Sequence, residues 1–142
     1  MSHVRTQLRT VLRAALTGAF SGVSVEKDWW SVGDTSQLPR MAVSTPREAV
    51  RRIDVGTVER TIDVMVMGKF RGGEDLEDDL DAHLVTAETS VLGVLGTLSD
   101  IYDLAESGTD ISLESQTPIG SINMLFRVVL RTPEGEPETL EI

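Results

Sequence analysis

Two segments of this 142-residue chain constrain the fold more than any other feature. Gly120–Arg131 alternates: Ile122, Met124, Phe126, Val128 and Leu130 point one way, and Ser121, Asn123, Arg127 and Arg131 the other, with Leu125 and Val129 interrupting the polar face. Thr57–Phe70 alternates as well, with Val58, Arg60, Ile62, Val64 and Val66 opposite Glu59, Thr61, Asp63, Met65 and Met67. A period of two is the signature of a strand. Apolar residues on both faces after Ile62 predict a central strand covered on both sides there. Gly68 is expected to mark a bulge or the start of the exit loop.

Two helices accompany these strands. Val4, Leu8, Val11, Leu12, Ala15, Leu16 and Ala19 recur at three- and four-residue spacing and build one apolar stripe, with Ser2 as the expected cap and Gly18 and Gly22 at the end. Leu76, Leu80, Leu84, Ala87 and Val91 define a second helix, opened by Gly72-Gly73, flanked by His83 and ended by Gly93 and Gly96. Glu74, Asp75, Glu77 and Asp78 crowd its first turns and complement the positive end of its dipole.

The remaining segments read as shorter strands: Val23–Lys27, Leu38–Thr45 with Pro39 at its start or on an edge, and Glu48–Asp54 beyond a turn at Pro46. Ile101–Glu106 and Thr109–Ser115 flank a tight turn at Ser107-Gly108. Residues 28–37 read as a loop. Strands and helices alternate too sparsely for a doubly wound parallel sheet. The prediction is α+β: a mixed or antiparallel central sheet with two main helices packed on it, as one domain over residues 1–131. An acidic Pro/Gly-containing tail follows at 132–142.

Charge is unevenly placed. Residues 1–71 hold 11 Lys or Arg against 7 Asp or Glu, or +4, and residues 72–142 hold 2 against 16, or −14, which sums to the net −10. An acidic balance argues against sequence-reading DNA binding. The absence of cysteine excludes disulfides, Cys-based zinc sites and thiol nucleophiles. No apolar run approaches a membrane span and no signal peptide is visible, so a soluble intracellular domain is expected. With aromatics at 4%, the core must be aliphatic.

No motif for catalysis, metal or cofactor stands out. The acids of Glu74–Asp81 beside His83 lack calcium-loop spacing and read as a solvated, dipole-favoured face. Gly72-Gly73 is followed by acids, which would repel a phosphate. His3 and His83 are the only histidines, and no nucleophile motif accompanies them. Trp29-Trp30 is unusual because adjacent residues of an extended segment point opposite ways. Either one ring faces a partner, or one plugs the core's edge while the other lies flat on the surface. Arg5, Arg9 and Arg13 align on one side of the first helix and fit phosphates, a partner's acids or plain solvent. If the two halves lie on different faces, a basic surface and an acidic one complement each other head to tail between copies of the chain. The candidate subunit or partner interface is therefore Arg5, Arg9, Arg13, Trp29, Trp30, Glu74, Asp75 and Asp78.

The layout also resembles a family. An amphipathic N-terminal helix precedes Leu38-Pro39-Arg40-Met41-Ala42-Val43 and then Thr45-Pro46-Arg47-Glu48. A long strand opens with Glu59-Arg60-Thr61, the acidic helix Asp75–His83 follows, and a last strand runs from Pro118-Ile119-Gly120 to Arg131-Thr132-Pro133-Glu134-Gly135. This resembles the tail terminator (minor tail, or tail-completion) proteins of long-tailed phages and of phage-like particles such as gene transfer agents. Trp29-Trp30 lies outside the family's pattern. The resemblance implies a non-enzymatic virion protein, without cofactor or metal, at the head-proximal end of the tail and assembled in the bacterial host's cytoplasm. It implies a homo-oligomeric ring of six copies that caps the tail tube protein, ends its polymerisation and joins the head-side connector. DNA would pass through the lumen without specific binding, and no membrane is involved. Six copies would carry about −60, which repels phosphates in a channel. The alternatives are another neck or head-closure connector, a tail tube protein, or a small α+β ligand-binding domain or enzyme.

Overall fold

A computed structural model describes residues 2–28, 38–113 and 117–141. The elements are α1 (Val4–Ala19), β1 (Ser24–Glu26), β2 (Arg40–Asp54), β3 (Thr57–Arg71), α2 (Leu76–Leu98), β4 (Tyr102–Ser112) and β5 (Ile119–Pro133). The five strands form one sheet in the order β1-β2-β3-β5-β4. Only β1 runs parallel to its neighbour, and every other pair is antiparallel. The fold is α+β with a mixed sheet and both helices packed on it, as the sequence predicts.

The two alternating segments sit side by side. β3 and β5 pair along their whole lengths, from Thr57 opposite Pro133 to Arg71 opposite Ile119. Their inward sets merge with Leu8, Leu12 and Leu16 of α1 and Leu80, Val91 and Leu95 of α2 into one core. Burying these aliphatic side chains is the main driving force for the fold. Val11 and Ala19, expected in the stripe of α1, are exposed. Four helical residues at a strict i, i+4 spacing, Val4, Leu8, Leu12 and Leu16, are enough to seat the helix.

Both helices cover the Ile62 face of β3. Among the described residues, no layer covers its other face. Met65 and Met67 are half-buried there beside Leu125, within their own sheet, so the expected double covering is not met.

Four local expectations are corrected. β2 runs straight through Pro46, which falls where the register slips between Ser44 and Arg47. A bulge tolerates a residue without an N–H. Gly68 keeps the regular ladder opposite Met41 and Ile122, and a Cβ there would lie 3.0 Å from the Phe70 ring. Ser107-Gly108 is not a turn: β4 continues through it, with Gly108 opposite Asn123. The long partner β5 supplies a ladder that a local turn signal does not outweigh. α2 continues past Gly93 and Gly96 to Leu98, and at Gly96 the missing Cβ leaves room for the Tyr102 hydroxyl, 2.9 Å from where that Cβ would stand.

The cap of α1 is His3 rather than Ser2: its Nδ1 accepts the Arg5 N–H at 3.1 Å. Val55-Gly56 forms the two-residue turn between β2 and β3, with Gly56 at φ 85°. The segment beyond β5 folds back on α1. Pro137 O accepts the Val4 N–H at 2.8 Å, Glu138 O accepts from the Gln7 amide, and Leu140 packs against the core.

Candidate assembly surfaces

The strand order sorts the charges. Residues before Gly72 build α1, β1, β2 and β3, and residues after it build α2, β5 and β4. α1 packs over β1 and β2, and α2 over β5 and β4. One lateral side of the molecule therefore carries α1, at +3 from Arg5, Arg9 and Arg13, and β2, at +2 from four arginines less Glu48 and Asp54. The other carries α2, at −5 from Glu77, Asp78, Asp79, Asp81 and Glu88, and β4, at −3 from Asp103, Glu106 and Asp110. The chain's linear asymmetry becomes a lateral dipole.

The arginine stripe of α1 divides. Arg5 Nε lies 3.3 Å from Glu48 Oε2, close enough for an ion pair but not aligned for a hydrogen bond. Arg9 donates to the Thr45 and Thr6 hydroxyls. Burial, with Arg13 and Arg5 nearby, lowers the Arg9 pKa from its ordinary value. Among the described residues, Arg13 reaches only Thr10, at 3.4 Å. Two of the three thus turn onto β2 of their own chain, and Arg13 is the one presented outward.

Glu48 is the hub that the sequence did not single out. Its Oε1 accepts from Arg60 at 2.8 Å, and Arg60 Nε donates to the buried Thr132 hydroxyl at 2.9 Å. His3 Nε2 stands 3.7 Å from Glu48 Oε2. The side chains of Glu48 and Arg60 are 10% and 11% exposed. This cluster ties α1, β2, β3 and β5 together. Its only sequence signal was Arg60 on the apolar face of β3, where a charge needs a partner.

Glu74, Asp75 and Asp78 are exposed at the start of α2. Asp75 is the cap residue but makes no side-chain capping bond. His83 stacks on Phe70, with ring centres 4.1 Å apart, and tilts against Phe20. Burial lowers its pKa, opposed by the Asp79 charge. Trp29 and Trp30 lie outside the described residues. Among the described residues, no cluster of three or more His, Asp or Glu side chains converges as a metal site would, and no helix is long and apolar enough to cross a membrane.

A groove of about 300 Å³ at the end of α2 is lined by residues 96–101, Val129, Arg131 and Glu141. Its Ser99 hydroxyl lies 2.5 Å from Val129 O and accepts the Ile101 N–H, so it holds the α2–β4 connection in place. Comparison of the chain with protein-family models and with curated proteins gives no match.

Proposed function

We propose that this chain is a structural ring subunit of a phage-like tail, a tail terminator that caps the tube and joins it to the head-side connector. The observation that carries the reading is the lateral dipole. Opposite charges on opposite sides make a heterologous, head-to-tail contact favourable, and such contacts close into rings or run on as filaments. The resemblance of the strand and helix layout supplies the assembly, with six copies as its ring number. The tail tube protein and the connector are the partners, the virion is the location, and the chain is not an enzyme. The surplus of acid suits a channel through which DNA passes without sticking.

Electron microscopy of the purified chain and of the intact particle tests this. Closed rings from the isolated chain, or one ring between tube and neck in the particle, are the expected result. Long self-assembled tubes would make it a tube protein instead, and a position on the head side of the connector would make it a head-closure component.

A further inference from the structure

We infer that copies of this chain join by antiparallel pairing of the β4 edge of one with the β2 edge of the next, Arg47–Arg51 lying against Glu106–Asp110. This rests on the ring reading above and specifies its contact.

Both edges are open among the described residues. Among the described residues, β1 covers β2 only at Arg40–Ala42, and nothing pairs with the outer side of β4. An unpaired edge is a template for another strand. Apolar residues are exposed along both: Val50 at 55% and Ile53 at 38% on β2, Tyr102 and Ile111 at 39% each on β4.

Direction follows from topology. β2 and β4 run opposite ways, because three antiparallel steps separate them. A rotation about an axis along the strands preserves direction, so the β4 edge of one copy meets the β2 edge of the next antiparallel.

Register follows from the ladders. Ile101 O accepts the Val129 N–H at 2.9 Å, so the odd-numbered residues of β5 face β4. Alternation carried through the registers turns the backbone groups of Ser107, Thr109 and Ile111 outward on β4, and those of Glu48, Val50 and Arg52 outward on β2. Placing Val50 opposite Ser107 and Glu48 opposite Thr109 matches outward groups with outward groups. It also sets Arg47 opposite Asp110, Ala49 opposite Gly108 and Arg51 opposite Glu106, in the closer, non-hydrogen-bonded positions.

The same register satisfies the faces. Arg47 and Arg51 pair with Asp63 and Glu59 and so lie on the sheet face away from the helices. Glu106 and Asp110 pair with Leu125 and Ser121 and lie on that face too. Both charge pairs are spaced four residues apart, so two opposite-sign contacts form at once. Arg47, Glu106 and Asp110 have no ion pair within the described chain, and Arg51, bound to Glu59 at 2.8 Å, stays exposed. A second copy is the occupant that satisfies edge, direction, face and charge together.

The chain has no cysteine, so a disulfide reads the register directly. The full chain with Ala49→Cys and Gly108→Cys, oxidised without a cross-linker, should give covalent multimers up to the ring number on a non-reducing gel. A Cβ at Gly108 meets nothing within 4 Å, so the residue is accommodated. Val50→Cys with Gly108→Cys, one residue out of register, should stay monomeric. Arg47→Glu/Arg51→Glu and Glu106→Arg/Asp110→Arg should each fail to assemble alone, and an equimolar mixture should assemble again through alternating copies. Native circular dichroism of each variant separates lost assembly from lost folding. Rings in micrographs from a chain whose A49C/G108C form does not cross-link, and whose charge reversals still assemble, overturn the edge pairing and leave the ring reading intact. Cross-linked open filaments without rings support the pairing and overturn termination. An A49C/G108C form that does not cross-link, together with a wild-type chain that stays monomeric and forms no ring between tube and neck in the particle, overturns both.

Discussion

Both lateral sides of the sheet rest on buried apolar side chains, but they place their charge differently. On the α1–β2 side, charge goes inward: Glu48 binds Arg60 and Arg5, and Arg60 continues to Thr132. On the α2–β4 side, charge goes outward, and the contacts beneath are apolar. Leu80 presses on β5 so closely that a Cβ at Gly120 would stand 2.6 Å from its Cδ1, and Leu95 is fully buried. The difference teaches how one small domain presents two unlike surfaces. The basic side spends some of its charge on its own fold, whereas Asp103, Glu106 and Asp110 remain for others.

The largest effect should come from the apolar side. Leu80→Ala removes a fully buried side chain in contact with the close approach at Gly120, and should cost about 3 kcal/mol or more in chemical denaturation. Added salt should leave that loss unchanged. If Leu80→Ala cost less than Glu48→Ala, the division between apolar and ionic sides would be reversed.

On the basic side, Glu48→Ala leaves Arg60 and Arg5 without their carboxylate in a largely dry site, and should cost about 2–3 kcal/mol. The Glu48–Arg60 pair should show a coupling of about 1 kcal/mol or more in a double-mutant cycle, because the two are in direct contact. Additive losses would mean that the cluster is a collection of separate surface contacts, and that both sides depend on apolar packing alone.

Much of this was legible in the residues. The alternation of Ile122 to Leu130 and of Val58 to Val66 marks the two strands that pair at the centre, and the Leu8, Leu12 and Leu16 spacing marks the helix on them. What escaped was set by tertiary partners. Pro46 and Gly108 are local breakers, yet each sits inside a strand because a long neighbour supplies the ladder and a register slip absorbs the proline. Arg5 and Arg9 look identical to Arg13 on a helical wheel, and only the position of β2 beneath them separates inward from outward. The charge split was plain in the sequence. That it would become two edges depended on β3 and β5 meeting in the middle of the sheet.

The smallest effect separates the sides by pH, since each holds one histidine. Burial lowers the pKa of both, ahead of the opposing pull of Glu48 on His3 and of Asp79 on His83. A folded-state pKa below the ordinary 6.5 means that the unfolded chain takes up protons first as pH falls. Stability is therefore intact above about pH 6.5 and declines below it, before the separate decline below 4.5 in which Glu26, held by Ser24 and Arg40, and Glu59, held by Arg51, lose their lowered pKa values' benefit. Besides its burial, His3 makes a bond that acid breaks. Its Nδ1 must be unprotonated to accept the Arg5 N–H, so acid removes the cap of α1, an interaction worth up to about 1 kcal/mol. Asn accepts the same N–H at every pH. The stability of His3→Asn relative to wild type should therefore rise as pH is taken from 7.5 to 5.5, while His83 titrates equally in both proteins and cancels. His83→Phe, which keeps a ring between Phe70 and Phe20, should flatten the remaining slope. A His3→Asn difference that stays constant across this range would remove the cap from the pH response and leave it to the α2 side alone.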